Sequence, residues 1–232
     1  MKKLSTRDFV LLALLVAVLI VLAYVNIPQP AGLSITFNMI PVAIAAIAVG
    51  PLGGGVIGGA FGVISFLQCF AICGFSGMGA ALAAINPFLA FVQRFFPRLL
   101  DGLLLGFIYR YVKSRYVKSL YAEKRCRIVD LQGNTTGYLI LREAKEESRY
   151  AYLACAVTGF MAAFLNTLFF MTSLVWIFGS TEYMQTSMAG RGMLTYIVAA
   201  VGVNGLVEML VSTVLTGAIG SALYRAGLLK NH

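Results

Sequence analysis

The sequence predicts an all-α integral membrane protein, a bundle of six transmembrane helices forming one domain over residues 1–232. Three observations carry that prediction. Mean hydropathy is +0.85. Only 12% of the residues are charged, against roughly 25% in a soluble domain. The charges are also segregated: the stretches near 9–25, 35–70, 152–178 and 193–222 are almost free of them, while 110–149 is dense with them.

Crossing the hydrocarbon core takes about 20 apolar residues, and six stretches supply them. The first, 8–25, follows MKKLSTRD and superficially resembles a signal peptide. No clear small-residue cleavage site precedes the polar turn NIPQPAG, so it reads as a retained first span. The second, 34–49, is short, and Gly50-Pro51 divides it from the third, 52–70. The fourth, 85–112, and the fifth, 150–178, are long enough to tilt or to project beyond the bilayer. The sixth is 193–223. Between the fourth and fifth lies a basic loop, 113–149, in which RCRIVDL and TGYLILRE flank QGNT. Both halves favour strands, so a small cytoplasmic β-hairpin is expected there.

Six spans put the amino terminus, the 113–149 loop and the carboxyl terminus on one side. All of the chain's 18 Lys and Arg except Arg94, Arg98 and Arg191 fall in or beside those segments, and only Arg191 lies in a loop of the other side. Cytoplasmic loops are the ones enriched in Lys and Arg, so both termini are placed inside a cell membrane that the chain crosses repeatedly. The sequon at Asn134-Thr135-Thr136 is discounted because its loop then faces the cytoplasm.

The net charge of +9 follows this orientation, and no basic stretch is interleaved with a stacking platform, which argues against nucleic acid as a partner. Cys69, Cys73, Cys126 and Cys155 form no CxxC pair and no metal-ligand cluster, and read as small apolar fillers. No Walker A sequence, HExxH or nucleophile elbow is present. The chain therefore carries no ATPase of its own, no cofactor is expected in it, and it lacks the two comparable halves of an inverted-repeat transporter.

A polar group without a partner in hydrocarbon costs several kcal/mol, so each polar side chain within a span asks for a reason. Asn38, Gln68 and Asn86 fall near the outer face, where a cavity open to the outside would collect them. Arg94 suits a carboxylate there, bidentately. Asn166 and Asn204 lie nearer the middle and read equally as ligand contacts or as ties between helices. Arg94 and Arg98 are four apart, as are Asn204 and Glu208, so the two stripes can face each other across the bundle. Arg98 and Asp101, three apart, can instead pair within their own helix, and Glu208 reads as the buried partner of an arginine.

Glycines recur every four residues at Gly54, Gly58 and Gly62, a small face that lets another helix approach closely. Ala13 and Ala17 form an AxxxA notch in a first span otherwise built of large aliphatic residues. Together with NMIPVAIAAIAVGPLGGGVIGGAFGVISFLQ, FFPRLLDGLLLGFIY, FLNTLFFM and NGLVEMLVSTVLTGAI, these features resemble the substrate-binding S components of energy-coupling factor (ECF) vitamin transporters. The resemblance covers nearly the whole chain and looks closest to pantothenate-type members of the folate and pantothenate branch.

The resemblance implies a vitamin pocket near the outer face capped by loops, with Asn38, Gln68, Asn86, Arg94, Asn166 and Asn204 as its candidate residues. It also implies docking through Ala13 and Ala17 onto a transmembrane coupling subunit (EcfT) driven by two ATPases, and toppling of the whole S component to release substrate inward. The 113–149 loop is longer and more structured than that pattern. Two other classes compete: a membrane enzyme using Glu208 as base and Arg94 as clamp, and a passive assembly scaffold. Against the enzyme, the only histidine is His232 at the tail and no nucleophile sits beside a base.

Overall fold

The structure is a computed structural model that describes residues 5–25, 27–28, 34–123, 125–129, 135–140, 144–190 and 192–229. It is dominated by helices: α1 (Thr6–Tyr24), α2 (Met39–Ala48), α3 (Pro51–Leu67), α4 (Gly77–Ile85), α5 (Pro87–Glu123), α6 (Ala144–Phe178), α7 (Glu182–Met188) and α8 (Met193–Arg225). A 3-10 turn, Gln68–Phe70, extends α3. Two short antiparallel ladders complete the described elements: β1 (Ile27–Pro28) with β2 (Ser34–Ile35), and β3 (Arg125–Val129) with β4 (Thr135–Ile140). Helix occupies both ends of the 113–149 segment, because α5 runs on to Glu123 and α6 begins at Ala144.

Local chemistry sets the boundaries. Ser5 and Asp8 form a reciprocal capping box, with the Asp8 N–H donating to Ser5 Oγ at 3.2 Å and the Ser5 N–H to Asp8 Oδ2 at 3.0 Å. Gly50 turns α2 into α3 at φ +94°, a conformation that favours glycine, and Pro51 then opens α3 where no N–H is needed. α5 carries an internal proline, and α8 is broken within the bundle. Pro97 lies inside α5 and has no N–H to offer the Gln93 carbonyl, and Gly202 interrupts α8 with φ 30° and ψ −132°.

Among the described residues, four helices are long and apolar enough to cross a membrane: Thr6–Tyr24, Pro51–Phe70, Arg149–Phe178 and Gly205–Arg225. Apolar side chains stand exposed on their outer faces, among them Phe9, Val10 and Val21 of α1 and Leu206 and Leu210 of α8. Contiguous apolar surface of this kind suits lipid rather than water. Every residue of α2 is buried, so this ten-residue helix is the axis around which the others pack.

The glycine face predicted in α3 meets α5. A Cβ on Gly54 would strike the Gly102 carbonyl, one on Gly58 the Arg98 carbonyl, and one on Gly62 would come within 2.8 Å of Phe95 Cα. These contacts also fix depth: α3 and α5 run antiparallel, with Gly62 level with Arg94 and Gly54 level with Gly102. α6 and α8 are tied likewise, Ser212 Oγ donating to the Gly159 carbonyl at 2.8 Å. Continuing that register outward brings the turn of α8 that carries Asn204 level with Asn166.

Candidate functional site

α5 carries most of the site. Positions 94, 98, 101 and 105 share one face of a helix, and Arg94 (4% exposed), Arg98 (6%), Asp101 (0%) and Leu105 (0%) are all buried there. The first three are polar and the fourth joins the apolar core with Ile57, Phe61 and Ala162. The polar stripe therefore ends on an apolar floor.

Arg94 is held by the carboxyl-terminal end of α3 and the start of α4. Its Nη1 donates to Ser65 Oγ at 2.8 Å and its Nη2 to Ser76 Oγ at 3.1 Å, while its Nε has no partner. Ser76 is also the cap of α4, accepting from the Gly79 N–H at 3.2 Å, so one hydroxyl fixes both a helix start and a guanidinium. Arg98 folds back on its own helix, Nη1 donating to the Arg94 carbonyl at 2.9 Å. Its guanidinium lies 4.5 Å from the centroid of Phe61 and 5.0 Å from that of Phe170, and Arg94 lies 5.7 Å from Phe170. Aromatic faces offset part of the cost of burying a cation, by about 2 kcal/mol when it is desolvated.

The predicted residues divide into two groups. Asn38, at the start of α2, is wholly buried, and neither amide atom has a hydrogen-bond partner. Asn166 is half-buried in α6 with its Oδ1 unpartnered. Asn38, Arg94 and Asn166 thus keep hydrogen-bonding capacity inside the bundle. Gln68 and Asn86 spend theirs on backbone. Gln68 Nε2 donates to the Ala23 carbonyl at 3.1 Å, tying the end of α3 to the end of α1. Asn86 Oδ1 accepts from the Leu89 N–H at 3.1 Å and caps α5. The Asn204 side chain lies outside the described residues. The amides expected around one outward cavity are thus not gathered as a set, because helix ends need partners of their own.

Two expected pairings also differ. Neither oxygen of Asp101 has a hydrogen-bond partner, so it does not close on Arg98. Glu208 Oε1 accepts from the Thr36 N–H at 2.7 Å, joining α8 to the segment between β2 and α2, rather than pairing with an arginine. Gln93, absent from the sequence-based candidates, is 0% exposed with both amide atoms unpartnered. The rule that flagged Asn38 applies equally to it. Ala13 and Ala17 lie on the exposed face of α1, opposite buried Leu12, Leu15 and Leu19.

An apolar groove of about 450 Å³ lies apart from this cluster, between α5 and α6, where Phe96, Leu100, Leu103, Phe169 and Trp176 line it. It holds none of the predicted polar residues. The buried polar residues of α2, α5 and α6 are the arrangement with recognition chemistry.

Residues 7–220 match the family described as "ECF transporter, substrate-specific component". The chain belongs to this family. It is accordingly the substrate-binding component of a vitamin-uptake transporter in the membrane, a part that acts with other subunits, and it carries transport rather than catalysis. Among its curated relatives is the "Pantothenate transporter PanT" of Leuconostoc mesenteroides, 26% identical over 204 residues, covering 85% of this chain and 80% of the relative. Another is the "Pantothenic acid transporter PanT" of Lactococcus lactis subsp. cremoris, 25% identical over 238 residues, covering 97% and 98%.

Proposed function

We propose that this S component captures pantothenate from outside the cell and delivers it inward as one part of an ECF importer. The observation that carries the substrate class is Arg94, a buried guanidinium braced by two serine hydroxyls with its Nε unspent. A small carboxylate is the natural partner of such a group. The names of the two relatives support pantothenate as the acid. Asn38, Asn166 and Asn204 complete the proposed contacts, and Gln68 and Asn86 hold the walls in place.

In this reading all six predicted spans cross the bilayer, α2 as a buried central helix and α5 carrying its arginines toward the bundle rather than toward lipid. Both termini and the β3–β4 hairpin face the cytoplasm, which the distribution of Lys and Arg supports. The AxxxA face of α1 docks on the coupling subunit, two partner ATPases supply the energy, and the S component topples to release the vitamin.

Native mass spectrometry of the detergent-purified chain, followed by titration with pantothenate and folate, tests the reading. One pantothenate bound per chain is expected. Arg94→Ala should then weaken binding by about 1.5 to 3 kcal/mol, the range for a hydrogen bond to a charged group. A chain that answers neither vitamin would sink the assignment, and an unchanged affinity in the variant would remove Arg94 from the pocket.

A further inference from the structure

Asp101 lies seven residues beyond Arg94 on the same stripe of α5, which puts it about 10 Å deeper along the helix axis. It is 0% exposed, and neither carboxylate oxygen is hydrogen-bonded within the protein. The next side chain on that face, Leu105, belongs to the apolar core, so Asp101 is the last polar group before the floor. Of the two carboxylates whose charge acts on Arg98, Asp101 and Glu208, the latter is engaged by the Thr36 N–H. Asp101 is left as an acceptor with both oxygens unspent.

We propose that Asp101 is the second recognition point of the site, accepting hydroxyl donors from the end of the ligand remote from its carboxylate. Resting on the pantothenate reading above, this defines the substrate class as an acid about 10 Å long with its hydroxyls at the far end. A buried carboxyl group offers an acceptor oxygen in either protonation state, so it pairs with O–H or N–H groups and not with an alkyl terminus. A site built to hydrogen-bond a substrate hydroxyl rejects analogues lacking it far better than an apolar pocket rejects an extra one. Pantothenate has this form, with a carboxylate at one end and two hydroxyls at the other.

The test measures the affinity of the purified chain for three probes. These are pantothenate; its dideoxy analogue N-(3,3-dimethylbutanoyl)-β-alanine, which keeps the carboxylate, amide and carbon skeleton but lacks the hydroxyls; and pantothenol, which keeps the hydroxyls but lacks the carboxylate. The wild-type chain should prefer pantothenate to both. Asp101→Leu should erase the preference over the dideoxy analogue, a loss of about tenfold or more, while the preference over pantothenol, which Arg94 provides, persists. Asp101→Asn keeps one acceptor oxygen and should retain part of the lost preference, and it serves if Asp101→Leu does not fold. If Asp101 only balances the charge of Arg98, its variants will weaken all three probes together or erode the preference over pantothenol instead. Either outcome overturns the proposal. Failure of the wild-type chain to bind pantothenate would overturn the underlying reading and is seen before any variant is made.

Discussion

Glu208 shows how much one hydrogen bond can decide at the level of a residue. Placed four positions after Asn204 in an apolar helix, it reads in the sequence as an arginine's partner, yet its Oε1 accepts from the Thr36 backbone instead. That bond joins α8 to the chain just before Asn38, so in the proposed reading it helps to hold that segment over the site. A hydrogen bond to a charged group contributes about 1.5 to 3 kcal/mol. Glu208→Ala should therefore speed the release of bound pantothenate, whereas Glu208→Gln, which keeps an acceptor, should change it little. Radiolabel dissociation measures both, and equal rates for the two variants would show that this contact does not hold the segment closed. Asn86 marks the other limit of residue-level reading: Asn-Pro at a helix start is a cap signature, with proline at N1. The same side chain reads as a cap and as a ligand contact, because polarity in a span has more than one use. The pairing of Gln68 with Ala23 was not legible at all, since it depends on two helix ends meeting.

Among the elements, long apolar helices were read well and short ones poorly. The boundaries of α1, α3 and α8 fall within a few residues of the predicted spans because lipid-facing and buried positions are both apolar over their whole length. α4 and α7, of nine and seven residues, were missed. Their signals are single caps, Ser76 and Thr181, in a run of small residues without periodicity. Pro97 within α5 is plain in the sequence, but Gly202 is one of 24 glycines and its positive φ cannot be picked out from composition. The AxxxA face of α1 is exposed, away from the buried polar residues of the site. Ala13→Trp should consequently leave pantothenate affinity of the isolated chain unchanged and abolish uptake in cells that contain the partner subunits. Parallel loss of binding and uptake would show that α1 supports the pocket rather than the docking.

At the scale of the whole molecule, composition made the membrane class plain, because a chain of +0.85 mean hydropathy has too few polar residues to cover itself in water. Span number is less direct: α2 is ten residues long and α5 carries Arg94, Arg98 and Asp101, so neither looks like a span by length and hydropathy alone. α2 is buried among other helices, which lets it be short, and α5 turns Arg94, Arg98 and Asp101 into the bundle while Phe96, Leu100 and Phe107 stand exposed, which lets it be charged. The native cysteines make the proposed topology testable without adding any group. Cys69 and Cys155 are buried and should stay silent to a polar thiol reagent. Cys73 is half-buried in the loop between α3 and α4, on the side proposed to face outward, and Cys126 belongs to β3 on the side proposed to face inward. A membrane-impermeant maleimide applied to intact cells should label the wild-type chain and the Cys126→Ser variant, and should spare Cys73→Ser until the cells are permeabilised. Labelling of intact Cys73→Ser cells would put the β3–β4 hairpin outside. That would reverse the orientation, and Arg94 would then open toward the cytoplasm, where a vitamin captured from outside could not reach it.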